Sequence, residues 1–308
     1  PLREMFQHTA RGCYTLENLN NEGEESKMKN ARSMMSIAAL CALLASPSFA
    51  AEEKAAETNS IPTITALSKE VSSFLILGLA TDVYSAYVWR GMTINDEPVW
   101  QPDLTVGLNF GDYGALTADV WGNFDATSST GKRHCAGLSE IDYTLAYSVT
   151  LSDFALSAGH IWYTFPQASG EDMEYGPSTR EFFTSVSYVN DIVVPFVKAY
   201  YDYVQADSAY VSIGLNKEVA LTDALKAGGE VSLGLAGNNF SEFYYGENGN
   251  KSGLNDANLS VYLAYSLTEN ISIGGKLAYT TLVDSELRDC DTYRSEIIWG
   301  GINLKVAL

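Results

Sequence analysis

Ten side chains fall where the two-residue period of a strand would gather polar groups on one face: Asp82, Tyr84, Arg90, Asp119, Asp142, Lys198, Asp202, Glu230, Lys276 and Lys305. If those faces enclose water, fixed charge along the enclosure selects what passes. The excess of carboxylates over cations in this set favours cations or neutral polar solutes over anions. The opposing expectation is that the charges pair across the enclosure and hold it shut, with Arg90 beside Asp119 or Asp142 as the pair to look for.

Catalytic or metal chemistry finds fewer parts. After residue 50 only His134 and His160 remain as histidines, and only Cys135 and Cys290 as cysteines. A barrel phospholipase needs His and Ser facing outward at the membrane edge, and an omptin-like protease needs Asp and His at the mouth. Neither histidine sits in such a constellation, so no enzyme is expected, and His160 reads as a wall residue with a hydrogen-bond partner. Cys135 and Cys290 fall in two long polar loops, where an oxidising compartment favours a disulfide. A metal site from these cysteines with His134, Asp289 and Asp291 matches no known ligand spacing. Acidic loops at Asp96–Glu97, Glu171–Glu174 and Asp284–Asp291 lack the EF-hand spacing and read as solvated charge. No metal and no cofactor are expected.

Composition narrows the class. The 308 residues carry 19 Lys and Arg against 38 Asp and Glu, a net charge of -19, with 46% hydrophobic residues. That is too apolar for a disordered acidic chain, and the charge repels nucleic-acid phosphate. Residues 28–50, MKNARSMMSIAALCALLASPSFA, have a basic head, an apolar run too short to span a bilayer and a small-x-small end at Ser48-Phe49-Ala50. This is the pattern of a secretory signal peptide cut after Ala50. Residues 1–27 are expected to be an upstream, non-native extension, because a signal peptide should begin at Met28. Residues 51–72 are polar, poor in aromatics and expected to be a periplasmic tether.

From residue 73 to residue 308 the chain alternates. Leu77, Leu79 and Val83 oppose Gly78, Ala80 and Asp82 in a strand expected to continue through Tyr87 and Trp89 to Arg90. Trp100, Leu104, Val106, Leu108 and Phe110 oppose Asp103 and Thr105; Leu116, Val120 and Phe124 oppose Asp119 and Trp121; Ile141, Tyr143, Leu145 and Tyr147 oppose Glu140, Asp142 and Thr144. Residues 154–165 form a strand whose phase the pattern leaves open. Further strands fall at 182–188, 196–204, 209–219, 227–237, 257–265, 271–281 and 298–308, twelve in all.

Their connections alternate too. Tight turns near 111–114, 151–153, 190–191, 221–223 and 267–270 exchange with mostly long polar loops near 91–99, 126–137, 166–179, 238–255 and 282–294, with a short member near Gln205. An even strand count with short turns at one end and long loops at the other is the layout of an outer-membrane barrel. Lipid offers no partners to backbone N–H and C=O groups, so a spanning sheet must close on itself. The expected fold is all-β, a 12-stranded antiparallel transmembrane β-barrel over 73–308, roughly 24 Å across. Phe110, Tyr147, Tyr188 and Tyr265 at the turn ends, and Trp89, Trp100, Phe124, Trp162, Tyr279 and Trp299 at the loop ends, would form two interfacial girdles.

Two stretches carry a family resemblance. One is Ser85-Ala86-Tyr87-Val88-Trp89-Arg90-Gly91-Met92-Thr93 followed by Pro98-Val99-Trp100-Gln101-Pro102. The other is Glu140-Ile141-Asp142-Tyr143 running through Gly159-His160-Ile161-Trp162-Tyr163-Thr164-Phe165-Pro166, with Glu181 soon after. Together they resemble the Gcw_chp or TorF-type porin family of bacterial outer-membrane proteins, departing from it at Gln167. The resemblance implies an outer-membrane barrel and a porin.

The sequence thus points to a bacterial outer-membrane porin passing small polar or cationic solutes by passive diffusion. Its partners would be outer-membrane lipid, the barrel assembly machinery and the solutes themselves, with no nucleic acid. The terminal run 301–308 resembles the signal that such machinery reads, although it ends in Leu308 rather than an aromatic residue. The competing expectation is a closed barrel serving as a structural or adhesion element through its long loops.

Overall fold

Strands with one apolar face and no soluble partner for it must either stack in two layers or close into a ring. Here they close. A computed structural model describes residues 74–127, 136–167, 178–249, 251–289 and 293–307. The wall strands are β1 (Leu75–Tyr84), β4 (Val99–Asn109), β5 (Ala115–Asp125), β6 (Gly137–Leu151), β7 (Phe154–Thr164), β8 (Ser178–Tyr188), β9 (Val194–Asp202), β10 (Ser208–Ala220), β11 (Leu225–Ala236), β12 (Gly253–Ser266), β13 (Ile271–Leu282) and β14 (Glu296–Ala307). They form one closed antiparallel barrel of twelve strands, each paired with its wall neighbour in sequence. The seam is β1 against β14, in register from Gly78 opposite Ala307 to Tyr84 opposite Gly301.

The period of two sets the faces. Leu79 and Val83 on β1, Leu104 and Val106 on β4, Val120 on β5, Leu145 on β6 and Phe182 on β8 are exposed on the outer surface. Their strand neighbours Asp82, Thr105, Asp119, Thr144 and Glu181 are buried inside. So much outward apolar area is satisfied by hydrocarbon rather than water, while closure pairs every wall strand on both edges. The chain is an outer-membrane barrel. No described helix is long and apolar enough to cross a membrane; the strands do the crossing. On β7, whose phase the pattern left open, Phe154, Ala158 and Trp162 face out and Ser157, Ile161 and Tyr163 face in.

One end has tight connections with local hydrogen bonds. Thr222 Oγ1 accepts from the N–H of Ala224 and Leu225, Thr268 Oγ1 from Asn270 and Ile271, and Asn190 Oδ1 from Ile192 and Val193. The other end bears the longer connections. One of these, expected as loop, holds helix α1 (Asn238–Tyr245), and another holds the short helix α2 (Ser285–Arg288).

The first connection corrects the sequence expectation. β1 stops at Tyr84 instead of continuing to Arg90, and the chain bends at Ser85 and Ala86 into a separate two-stranded hairpin, β2 (Tyr87–Trp89) and β3 (Met92–Asn95). Arg90 and Gly91 form its turn, both with positive φ (46° and 82°), the two-residue geometry that matches strand twist. Tyr87, expected on the outer apolar face, is buried.

Candidate functional site

The hairpin β2–β3 leaves the rim and crosses the lumen. Its tip reaches the far wall: Asn255 Nδ2 of β12 donates to the Arg90 carbonyl at 2.9 Å. A Cβ at Gly91 would lie 2.5 Å from Asp256 Cβ and 3.0 Å from Leu282 Cδ2, so only glycine seats this turn against that wall. At its base, Asn95 Nδ2 donates to Asp125 of β5 at 2.6 Å, and Tyr87 shares a hydrogen bond with Glu140 of β6.

Arg90 does not meet Asp119 or Asp142, as the sequence led us to expect. Its guanidinium closes on Glu181 of β8 with two hydrogen bonds of 2.7 and 2.6 Å, both side chains fully enclosed. Tyr163 of β7 donates to the same carboxylate at 3.0 Å. The pairing follows from the hairpin, since a side chain on a strand-borne Arg90 would stay beside β4 and β14, the neighbours of β1, whereas one carried inward reaches the opposite wall. Above and beside the guanidinium stand Trp89, Tyr200 of β9, Tyr210 of β10 and Phe240 of α1.

Helix α1 completes the plug. Phe240, Phe243 and Tyr244 repeat at the three- and four-residue spacing of one helix face. Phe240 and Tyr244 are buried against Trp89, with ring centroids 6.2 and 5.4 Å away. They join Met92, Ile161, Tyr163, Phe183, Tyr200, Tyr210 and Leu282 in one apolar cluster inside the loop-end half of the barrel. Burial among these rings, with Asp202 and Glu181 close by, pushes the Tyr244 hydroxyl well above its ordinary range, so it stays neutral at any physiological pH. Outside, Arg294 pairs with Asp96 just beyond β3, and Lys251 pairs with Asp284 at 2.9 Å and Glu286 at 3.2 Å. These acidic loop residues are therefore held in ion pairs.

Below the plug the lumen is polar. Asp82 accepts from the Tyr84 hydroxyl at 3.1 Å, and Asp119 from Thr105 Oγ1 at 2.7 Å. Lys198 lies over the Phe196 ring and Lys276 over the Trp299 ring, each 4.9 Å from the centroid. Glu230 and Asp142 are buried on the inner face, and Lys305 is partly buried there. Asp202 sits higher, accepting from Thr179 Oγ1 at 2.7 Å and from the N–H groups of Val204 and Gln205, which shapes the short β9–β10 connection. Among the described buried charged residues, nine are carboxylates and three are cations. The enclosure is acidic. Thr144 Oγ1, Ser157 Oγ and Asn303 Nδ2 are buried along the inner face and find no partner within the described chain.

The structure brings Asp82, Tyr84, Asp119, Asp142, Lys198, Asp202, Glu230, Lys276 and Lys305 to one interior, and Arg90 to a plug within it. Glu181, Tyr163, Tyr200, Tyr210 and Phe240 stand in the same interior and are not among the ten side chains that the strand period gathers. A usable signal existed: Tyr200 and Tyr210 occupy inward positions on β9 and β10, where a water-filled wall would carry polar groups. Two aromatics assigned to the loop-end girdle are also interior. Trp89 turns in with the hairpin, and Trp299 packs edge-on against Tyr84 at 5.4 Å. Trp100, Trp162 and Tyr279 do face outward. His160 sits on the outer wall, its Nε2 2.9 Å from the Tyr203 hydroxyl and its ring against Phe182. Among the described residues no group of three potential ligands could hold a metal ion. His134, Cys135, Cys290, Asp291 and Leu308 lie outside the described residues.

No protein-family model matches the chain, and no curated protein matches it. Among solved structures it is similar to the COG4313 outer membrane channel from Pseudomonas putida F1, with TM-score 0.48 and 9% identity over 80% of this chain and 98% of that one. The NanC porin follows with TM-score 0.45 and 12% identity, over 75% of this chain and 100% of that one. The KdgM porin in complex with disordered oligogalacturonate gives 0.41 and 8%, over 76% and 99%. These are distant likenesses of shape.

Proposed function

We propose that this chain is an outer-membrane channel of the porin kind, selective for small polar or cationic solutes, and that it is shut in the state described by the hairpin β2–β3 and helix α1. The observation that carries this reading is the interior outside the plug, where the carboxylates of Asp82, Asp119, Asp142 and Glu230 are buried against two buried cations, Lys198 and Lys276, with Lys305 partly buried. A barrel built only as a structural element has no need of an acidic interior, and its polar groups could be replaced by apolar packing without loss. Fixed carboxylates around a narrow aqueous column attract cations and repel anions. The likeness of residues 85–102 and 140–166 to the Gcw_chp or TorF-type porins is consistent with this reading. So is a secretory leader at 28–50, which would deliver the processed chain to the assembly machinery.

The closed reading has its own specific support in the aromatic plug. Conductance of the purified protein in a planar bilayer decides between them. The channel reading expects voltage-dependent or rare openings, with a reversal potential in a salt gradient on the cation-selective side. Silence under all conditions would leave the closed barrel, and anion preference would refute the charge argument.

A further inference from the structure

The Arg90 guanidinium is surrounded as a bound ligand would be. Its carbon lies 4.4 Å from the ring centroids of Trp89 and Tyr200, 4.7 Å from Tyr210 and 5.9 Å from Phe240. Its edge makes two short hydrogen bonds to Glu181, and Tyr163 orients that carboxylate from the other side. Aromatic faces for the flat cation and a bidentate acceptor at its rim are the recognition chemistry of a guanidinium group.

Most of this cage does not belong to the hairpin. Glu181, Tyr163, Tyr200 and Tyr210 stand on the wall strands β8, β7, β9 and β10, and Phe240 on α1. If the hairpin withdraws, Trp89 leaves with Arg90 and the other five residues remain. Bare withdrawal strands the Glu181 carboxylate among aromatic rings, an uncompensated buried charge. A solute bearing the same cation removes that penalty. Exchange of one guanidinium for another therefore conserves the pairing, whereas opening without a replacement does not.

We propose that this cage is a binding site for a guanidinium-bearing solute, with Arg90 its tethered occupant, so that solute entry and hairpin release are linked. The proposal rests on the channel reading and deepens it by naming a solute class. A ligand shifts such an equilibrium only by its preference for one state, and here the preference is absolute, since solute and Arg90 cannot share the cage.

Calorimetric titration of the full processed chain in detergent, with methylguanidinium chloride as probe and sodium chloride at equal ionic strength as reference, tests the site without relying on conductance. Arg90→Ala is expected to bind methylguanidinium saturably, and Arg90→Ala combined with Glu181→Gln to bind it about tenfold or more weakly. Binding no tighter than sodium, or indifference to Glu181→Gln, overturns the proposal. Should Arg90→Ala fail to fold, Arg90→Lys keeps the charge but loses the bidentate grip. Arg90→Lys should then bind methylguanidinium in the same titration at about tenfold lower concentration than wild type, and equal concentrations overturn the proposal. Saturable binding with no conductance would remove the channel reading and leave the cage, while conductance without binding would remove the cage alone.

Discussion

Arg90 and Glu181 are 91 positions apart, on a hairpin and on the opposite wall, and they meet in a fully enclosed bidentate pair. Neither side chain has water to turn to if the other is lost. Removing one partner of a buried pair typically costs about 3–5 kcal/mol, because the survivor stays charged and unsolvated. Arg90→Ala and Glu181→Gln should each destabilise the barrel on that scale, and the double variant should be less destabilised than the two losses summed. Urea unfolding of the detergent-folded protein, arranged as a double-mutant cycle, checks this. Strict additivity would mean that the pair is not coupled.

Gly91 gives a second handle on the plug that leaves every charge in place. Its φ of 82° and the 2.5 Å gap to Asp256 Cβ exclude a side chain. Gly91→Val should unseat the hairpin while the wall, which pairs independently of it, still closes. The expected phenotype is a normally folded barrel with a strongly raised time-averaged conductance. An unchanged conductance would show that the hairpin does not shut the channel.

Selectivity should follow the mid-lumen carboxylates. Asp119 and Glu230 are buried on the inner face at mid-strand positions, away from the plug. Asp119→Asn with Glu230→Gln should move the reversal potential in a salt gradient toward zero without changing how often the channel opens. A shift in the opposite direction would contradict the electrostatic account of selection.

The outer loops carry a pH dependence of their own. Hydrogen bonding from Lys251 holds the Asp284 carboxyl below its ordinary 3.8, and the same contacts with Asp284 and Glu286 hold the Lys251 ammonium above its ordinary 10.5. The Asp284 contribution is present above 3.8 and fades as pH falls through its lowered value. The Lys251 contribution is full below 10.5 and fades as pH rises through its raised value. The clasp should therefore hold from about pH 4 to pH 10. With the intrinsic pH dependence of amide exchange divided out, protection over residues 284–289 should fall as the pH drops below about 4, while protection in the wall strands stays unchanged. Because these groups are exposed, the effect is local rather than global.

The wall was legible in the sequence because lipid outside and water inside impose one rule on every strand, and Leu104, Val120 and Leu145 obey it as plainly as Asp119 and Asp142 do. The plug was not legible for the same reason. Tyr87 and Trp89 keep the alternation of β1, so the period runs on smoothly through a place where the chain leaves the sheet. The cue is Arg90-Gly91, a turn with two positive φ angles, whereas the alternation places Arg90 at the end of the wall strand and Gly91 at the start of a loop. Helix α1 was missed because its aromatic face lies inside a segment whose Asn, Gly and Glu content suggests a loop. The pairing of Arg90 went to Glu181 because a residue carried inward by a hairpin finds its partner by reach across a cylinder, and strand order gives no guide to that distance.

The barrel closes only where β1 meets β14, the first wall strand and the last. The hairpin follows β1 directly, yet its partners Asp125, Glu140, Glu181 and Asn255 stand on β5, β6, β8 and β12. A strand pair this short holds little shape by itself. The stopper therefore sets only as the ring draws those partners together, and sealing the bore and closing the cylinder become one event.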